Sequence, residues 1–249
     1  MAKERLDRLL VSQGLATSRE VAARTILAGG VLVDGSVVDK PAKLVPLEAR
    51  IEVEQPAPYV SRSGEKLAAA LEAFSIDPCG TIGLDVGCST GGFTDCLLQR
   101  GASRIYAIDV GYGQISWKLR QDQRVMLLER TNIRHVNQTL VPEPIDLAVI
   151  DVSFISLTLV LPSVVPLLKE RAMIVALVKP QFEVGKGQVG AGGIVRDEKQ
   201  REAVTNKVIA CARHLGFELR GVLDSPIRGR KGNREILVGF QRRGIINPS

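Results

Sequence analysis

The chain has 249 residues, 45% hydrophobic and 24% charged, with 33 basic against 27 acidic side chains and a net charge of +6. That composition supplies a globular core and excludes a disordered, collagenous or coiled-coil chain as the main state. No apolar run approaches the roughly 18 residues needed to span a bilayer, and the N-terminal stretch MAKERLDRLLVSQG lacks the apolar segment of a secretory signal.

The four cysteines, Cys79, Cys88, Cys96 and Cys211, form no CxxC pair, and there are only two histidines. Reduced thiols in a cytoplasmic protein are expected, and no metal site. Charge is unevenly placed. Residues 1–58 carry eight basic and eight acidic groups, whereas residues 201–249 carry ten basic and four acidic ones. The C-terminal fifth is therefore biased toward a polyanion or presents a solvated basic face.

Leu6, Leu9 and Leu10 recur at helical spacing, and Gly14 suits the end of that helix. Thr17 followed by Glu20 predicts a capping box opening a second helix, with Val21, Ala22, Thr25 and Ile26 as its apolar side. Val31–Val33, then Asp34-Gly35, then Val37-Val38 predict a tight hairpin. Residues 1–54 thus read as a small α+β unit. Residues 55–59 read as a linker, because two prolines within Gln55-Pro56-Ala57-Pro58 break any helix.

The stretches R-L-D-R-L-L at 5–10, T-S-R-E-V-A-A-R at 17–24 and G-G-V-L-V-D-G at 29–35 resemble the small RNA-binding domain first known from ribosomal small-subunit protein four. The resemblance implies that Arg5, Arg8, Arg19 and Arg24 face an RNA phosphate backbone. With no net charge in this segment, any basic surface must be local.

From residue 60 to 244, β-rich runs at 81–86, 104–110, 125–128, 145–152 and 173–178 alternate with helical stretches or loops. Such alternation predicts a parallel sheet covered on both faces. Runs at 217–224 and 235–241 follow each other without a convincing helix between them, which predicts a hairpin and one antiparallel strand in a mostly parallel seven-stranded sheet. The glycine-rich stretch GKGQVGAGG at 185–193 is either a surface loop or a mobile lid.

The segment Leu84-Asp85-Val86-Gly87-Cys88-Ser89-Thr90-Gly91-Gly92-Phe93-Thr94 follows the first of these strands and opens a helix. It lacks the Lys-Ser/Thr of a triphosphate-binding loop, and Ser89 stands where the second glycine of a dinucleotide fingerprint would be. Asp109 ends the next strand, where an acid can accept both hydroxyls of a ribose. The D-V-G-x-x-x-G-G pattern resembles the S-adenosylmethionine loop of Rossmann-like methyltransferases. That places Asp85, Gly87, Ser89, Gly91 and Phe93 around the methionine end and Asp109 at the ribose. Asn132 lies either near the adenine or in a plain loop turn.

The fourth strand is followed by Asp151-Val152-Ser153-Phe154, not by the N/D-P-P-Y/F/W of amino-methylating enzymes. No cysteine stands near 151 or 179 to serve as the thiolate of pyrimidine-carbon methylation. Lys66, Asp151, Lys179 and Glu235 instead match, in order and context, the Lys-Asp-Lys-Glu set of the FtsJ-like ribose 2′-O-methyltransferases. Ser63 replaces a glycine of the family's Arg-Gly-Gly-Glu-Lys stretch.

Together with its N-terminal domain, the chain resembles the TlyA-type rRNA methyltransferases, a family historically also called haemolysin A. The resemblance spans nearly all of residues 4–242. It implies S-adenosylmethionine as cofactor and cytidine riboses of large-subunit, and in some members small-subunit, ribosomal RNA as substrate.

In the implied centre Lys179 is the base that takes the proton of the ribose hydroxyl. Asp151 orients it, and Lys66 with Glu235 holds the ribose. Arg62, Arg228, Arg230, Lys231 and Arg234 are expected to steer RNA phosphates in a salt-dependent way. Phe154 and Phe182 flank the centre and either stack on a flipped base or pack in the core. Two other readings compete: a membrane-active haemolysin, and a ribosome assembly factor that binds RNA without catalysis.

Overall fold

The computed structural model describes residues 2–27, 29–53, 57–185, 189–229 and 232–242. The chain divides into two compact units, Met1–Ala57 and Pro58–Ser249.

The first unit runs β1 (Lys3–Arg5), α1 (Leu6–Ser12), α2 (Arg19–Leu27), β2 (Val31–Val33), β3 (Ser36–Val37), β4 (Leu44–Pro46) and β5 (Ile51–Val53). Strands β1 and β4 pair antiparallel, and β3-β2-β5 form a second small sheet. Its core is Leu6, Leu9 and Leu10 of α1 against Ala22 and Ile26 of α2, closed by Val31 and Val45. The predicted hairpin is present, with Asp34 at φ +50° and Gly35 at φ +77°, the left-handed pair that a two-residue turn requires.

One capping expectation is corrected. Ser18, not Thr17, caps α2, accepting from the Val21 N–H at 3.2 Å. The helix begins one residue later than the capping box assumed, so the side chain within reach of its third N–H belongs to residue 18. Strand β1, all charged, has no alternation to betray it and went unpredicted.

The second unit opens with α3 (Ser63–Ala73) and continues β6 (Ile82–Val86), α4 (Gly92–Gln99), β7 (Arg104–Ile108), α5 (Trp117–Arg120), β8 (Val125–Leu128), β9 (Ile145–Ile150) and α6 (Leu157–Val164). It ends with β10 (Leu168–Val178), α7 (Pro180–Glu183), α8 (Glu198–His214), β11 (Phe217–Asp224) and β12 (Ile236–Arg242). The seven strands lie in the order β11-β12-β10-β9-β6-β7-β8. Only β12 runs against its neighbours.

Period-two alternation sorts the central strands onto two faces. Leu84, Ile108, Ile150 and Ile174 pack with Val160 and Leu161 of α6 and Val208 of α8. Ile105, Leu147, Val149 and Val175 pack with Leu67 and Leu71 of α3, Leu97 of α4 and Leu119 of α5. Strand β10 starts at Leu168, earlier than its apolar run at 173, because a register shift between Leu168 and Met173 carries exposed Lys169, Glu170 and Arg171.

Strand order reverses at β6: β7 and β8 lie on one side, β9 and β10 on the other. In an open α/β sheet the crevice at the carboxyl ends beside such a reversal is where ligands bind. Among the described residues, no helix is long and apolar enough to cross a membrane.

Candidate active site

The loop after β6 is a run of left-handed turns: Gly87 at φ +84°, Ser89 at +48° and Gly91 at +93°. At Gly87 a side chain is excluded twice, by this φ and by space, since a Cβ there would lie 2.5 Å from the carbonyl oxygen of Asp151. The loop backbone therefore lies directly against the end of β9. Ser89 adopts the left-handed conformation although it is not a glycine, and its N–H donates to Asp109 Oδ2 at 2.8 Å. The other Asp109 oxygen accepts from the Gly111 N–H at 2.7 Å, so two backbone donors orient this carboxylate at the sheet edge.

Asp85 is fully buried in the central strand. Thr94 of α4 donates to its Oδ2 at 2.6 Å. Its Oδ1 has no protein partner among the described residues. Burial pushes its carboxyl up to about 7, against the Thr94 hydrogen bond and helped by the nearby negative charge of Asp151 and Asp109.

Between the ordinary aspartate value of about 3.9 and about 7 the folded state holds a proton that the unfolded chain has lost, so stability falls as pH rises through that window. The melting temperature of the ligand-free protein minus that of Asp85→Asn is therefore expected to drop by several degrees from pH 5 to pH 8. A difference that stays constant with pH would remove the assignment.

Burial, with Asp85, Asp109 and Glu129 nearby, pushes the Cys88 thiol up, which suits a packed residue and not a nucleophile. The Phe93 ring is 2% exposed and packs in the core with Leu67 and Leu97, so its backbone at the start of α4 is the part next to the glycine loop. Asn132 caps a short 3-10 turn, its Oδ1 accepting from the Arg134 N–H at 3.1 Å.

Sheet register brings the other residues to the same edge. Gly87 and Asp151 follow the paired residues Val86 and Ile150. Lys179 and Glu235 flank the last β10–β12 pair, Val178 with Ile236. Lys179 Nζ lies 2.6 Å from Asp151 Oδ1 and donates to Ser153 Oγ at 3.1 Å. Lys66, from the first turn of α3, donates to Glu235 Oε2 at 2.6 Å, with both side chains at least nine-tenths buried. The four residues thus form two ion pairs. Ser63, the departure from the family pattern, simply starts α3; its Oγ and that of Ser61 occupy the space a side chain at Gly92 would need.

Phe154 stands at φ +64° and is 90% exposed, so it is no core residue. Its ring centroid is 4.9 Å from that of half-buried Phe182. Arg62, Arg228 and Arg234 are exposed, while Arg230 and Lys231 lie outside the described residues. In the first unit Arg8 and Arg24 are exposed, but Arg5 and Arg19 both donate to buried Asp7, at 2.8 and 3.1 Å through their terminal nitrogens. These two guanidiniums hold the Asp7 carboxyl far below the usual range.

Of the glycine-rich stretch at 185–193, residues 186–188 lie outside the described residues. Gly193 and Val195 are bound by buried Asn233, two residues before Glu235, through bonds of 2.8 and 3.0 Å. Sequence reasoning missed Asn233, Gln114, which accepts from Ser89 Oγ at 3.3 Å, and Glu183. Their partners are distant in the chain and leave no local pattern.

Residues 59–242 match the model of the FtsJ-like methyltransferases, and residues 4–51 match that of the S4 domain. The chain is 48% identical over 238 residues, 95% of its length and 89% of the relative's, to the 16S/23S rRNA (cytidine-2′-O)-methyltransferase TlyA of Mycobacterium tuberculosis. The chain belongs to the TlyA family.

A 44% identical relative from Brachyspira hyodysenteriae, covering 95% of this chain and 99% of its own, carries the name Hemolysin A. A solved structure from Streptococcus thermophilus, described only as a suspected hemolysin, superimposes with a TM-score of 0.74 at 42% identity, covering 99% of this TlyA-family chain and 92% of its own. The S-adenosylmethionine-dependent methyltransferase of Mesorhizobium loti shares the fold of the second unit, with a TM-score of 0.52 at 15% identity over 72% of this chain and 99% of its own.

Proposed function

We propose that this protein methylates the ribose 2′-hydroxyl of cytidine in ribosomal RNA, in the large subunit and also in the small one, acting in the cytoplasm on ribosomal RNA or ribosomal subunits. The observation that carries the reading is the convergence of two ion pairs, Lys179–Asp151 and Lys66–Glu235, on the strand edge where the glycine loop touches Asp151. The M. tuberculosis relative is named a 16S/23S enzyme of this activity, and a 40% identical relative from Campylobacter jejuni is named a 23S one.

The residues fit S-adenosylmethionine. Asp85 offers a buried oxygen without a protein partner among the described residues, the left-handed turns at Gly87, Ser89 and Gly91 shape the loop at the sheet edge, and Asp109 presents an oriented carboxylate where ribose hydroxyls bind. No lysine follows the loop to demand a triphosphate. That cofactor supplies an electrophilic sulfonium methyl.

The protein's own residues do the rest. The 2′-hydroxyl is a very weak acid, and Nζ of Lys179, once it has released a proton to solvent and become a neutral amine, accepts the hydroxyl proton as the oxygen attacks. Asp151 Oδ1 and Ser153 Oγ fix that nitrogen from two sides. The Lys66–Glu235 pair holds the ribose and sets the field around it. No redox step or metal enters an in-line displacement of this kind. Positioning accounts for most of the gain, up to roughly 7–11 kcal/mol in well-oriented systems.

Phe154, held out by its left-handed backbone against Phe182, gives an extruded base an aromatic face. Arg5, Arg8, Arg19 and Arg24 in the N-terminal unit, and Arg62, Arg228, Arg230, Lys231 and Arg234 in the rest of the chain, contact phosphates.

The test is transfer of a radiolabelled methyl group to isolated 30S and 50S subunits, followed by digestion to nucleosides. Label is expected in 2′-O-methylcytidine, with subunit binding that falls steeply with salt. Cell lysis without RNA label, or RNA binding without label, would replace the proposal by the haemolysin or assembly-factor reading respectively.

A further inference from the structure

Glu183 is 5% exposed, yet it is a charged residue that none of the steps above employs. It closes the single turn of α7, four residues after Lys179. Its two oxygens reach across to the start of α6: Oε1 accepts from the Leu157 N–H at 2.7 Å, and Oε2 accepts from Ser156 Oγ at 2.5 Å. Those groups terminate the loop that leaves β9 at Asp151.

That loop is pinned at its other end, where the Asp151 N–H donates to the Val86 carbonyl at 2.9 Å. Between the two pins lies Phe154 at φ +64°, a conformation that an aromatic residue adopts only when its surroundings impose it. Three contacts join the same two segments: Lys179 with Asp151, Lys179 with Ser153, and Phe182 with Phe154. Glu183 makes the fourth, and the only one in which a carboxylate is buried against helix N-terminal donors, where it is both hydrogen-bonded and favoured by the helix dipole.

We propose that Glu183 is a positioning residue for methyl transfer. Its buried carboxylate locks the 151–156 loop onto the α7 turn, so that Asp151 meets Lys179 and Phe154 stands out beside them. The inference rests on the reading of Lys179 and Asp151 as the reacting centre. A residue that merely capped α6 would change stability and leave the reaction alone. A residue that sets the register of Asp151 against Lys179 changes turnover, because a misplacement of about 1 Å can cost 10²-fold.

The experiment measures kcat, KM for RNA, cofactor affinity by calorimetry and melting temperature for Glu183→Ala, Glu183→Gln and Ser156→Ala. Glu183→Ala is expected to lose about 10–10²-fold in kcat with cofactor affinity unchanged. Glu183→Gln restores most of it, since its carbonyl oxygen accepts from Leu157 and its amide donates to Ser156 Oγ. Ser156→Ala removes one of the two Glu183 bonds, together with the hydroxyl's contacts to Thr158 at the start of α6, and loses kcat by a smaller factor.

Normal kcat in a folded Glu183→Ala overturns the proposal. So does a kcat that falls only in step with cofactor affinity and melting temperature. If Glu183→Ala does not fold, Ser156→Ala decides: a kcat loss at unchanged cofactor affinity upholds the lock, and normal kcat rejects it. Lys179→Ala in the same assay separates the two levels. An active Lys179→Ala sinks the proposed centre, whereas an inactive one beside a normal Glu183→Ala sinks only the positioning role.

Discussion

Lys179→Ala is expected to lower methyl transfer by about 10²–10⁴-fold, the range of a removed general base, and to leave cofactor affinity nearly unchanged. The split follows from what Lys179 touches. Its Nζ contacts the side chains of Asp151 and Ser153, and neither side chain belongs to the loop between Gly87 and Gly91. Lys179→Arg sharpens the test. Arginine preserves the positive charge and an ion pair to Asp151, but with a pKa above about 12 it does not accept a proton. Loss in both variants identifies proton transfer as the role of the residue. An arginine variant that turns over normally would show that charge alone suffices and that the base lies elsewhere. Single-turnover measurement with saturating cofactor avoids confusing the chemical step with RNA release.

The second large effect concerns Lys66 and Glu235. The pair spans 169 positions of sequence, is 2.6 Å apart, and has side-chain exposures of 10% and 4%. Removing one partner leaves a buried charge uncompensated. Lys66→Met is therefore expected to destabilise the protein by about 3–5 kcal/mol. Replacing both, as Lys66→Met with Glu235→Leu, is expected to recover most of that stability, because an apolar pair of similar volume carries no desolvation penalty. Methyl transfer stays lost in the double variant if the pair serves the substrate ribose. Denaturant unfolding of the four members of the cycle, read beside their kcat values, checks both statements. A double variant that regained activity together with stability would reduce the pair to scaffolding.

Much of the architecture was legible because it is written in local pattern. Alternating apolar residues announced the central strands, and the want of a convincing helical pattern between 224 and 235 announced the hairpin that makes β12 antiparallel. The glycine loop was legible because backbone approaching backbone at Gly87 admits no side chain. The four charged residues stood out only through their resemblance to a known set, since each alone reads as a surface ion.

What failed did so where geometry outweighs pattern. The burial of the Phe93 ring was not legible either, because the helical turn after the loop carried it into the core. Thr17 lost its cap to Ser18 by a one-residue shift in where α2 begins. Glu183 and Asn233 were invisible because hydrogen bonds between distant segments follow no periodicity.

The amino-acid sequence by itself determined the two-unit plan, the class of fold and the loop that suits an adenosine cofactor, for these depend on periodicity and backbone freedom within short windows. Only the tertiary structure decided how the charges pair: Lys66 with Glu235, and Lys179 with Asp151. The reason is physical. Ion pairs of a few ångströms are set by strand order and register, and β12 returning antiparallel beside β10 is what delivers Glu235 to the edge where Lys179 emerges.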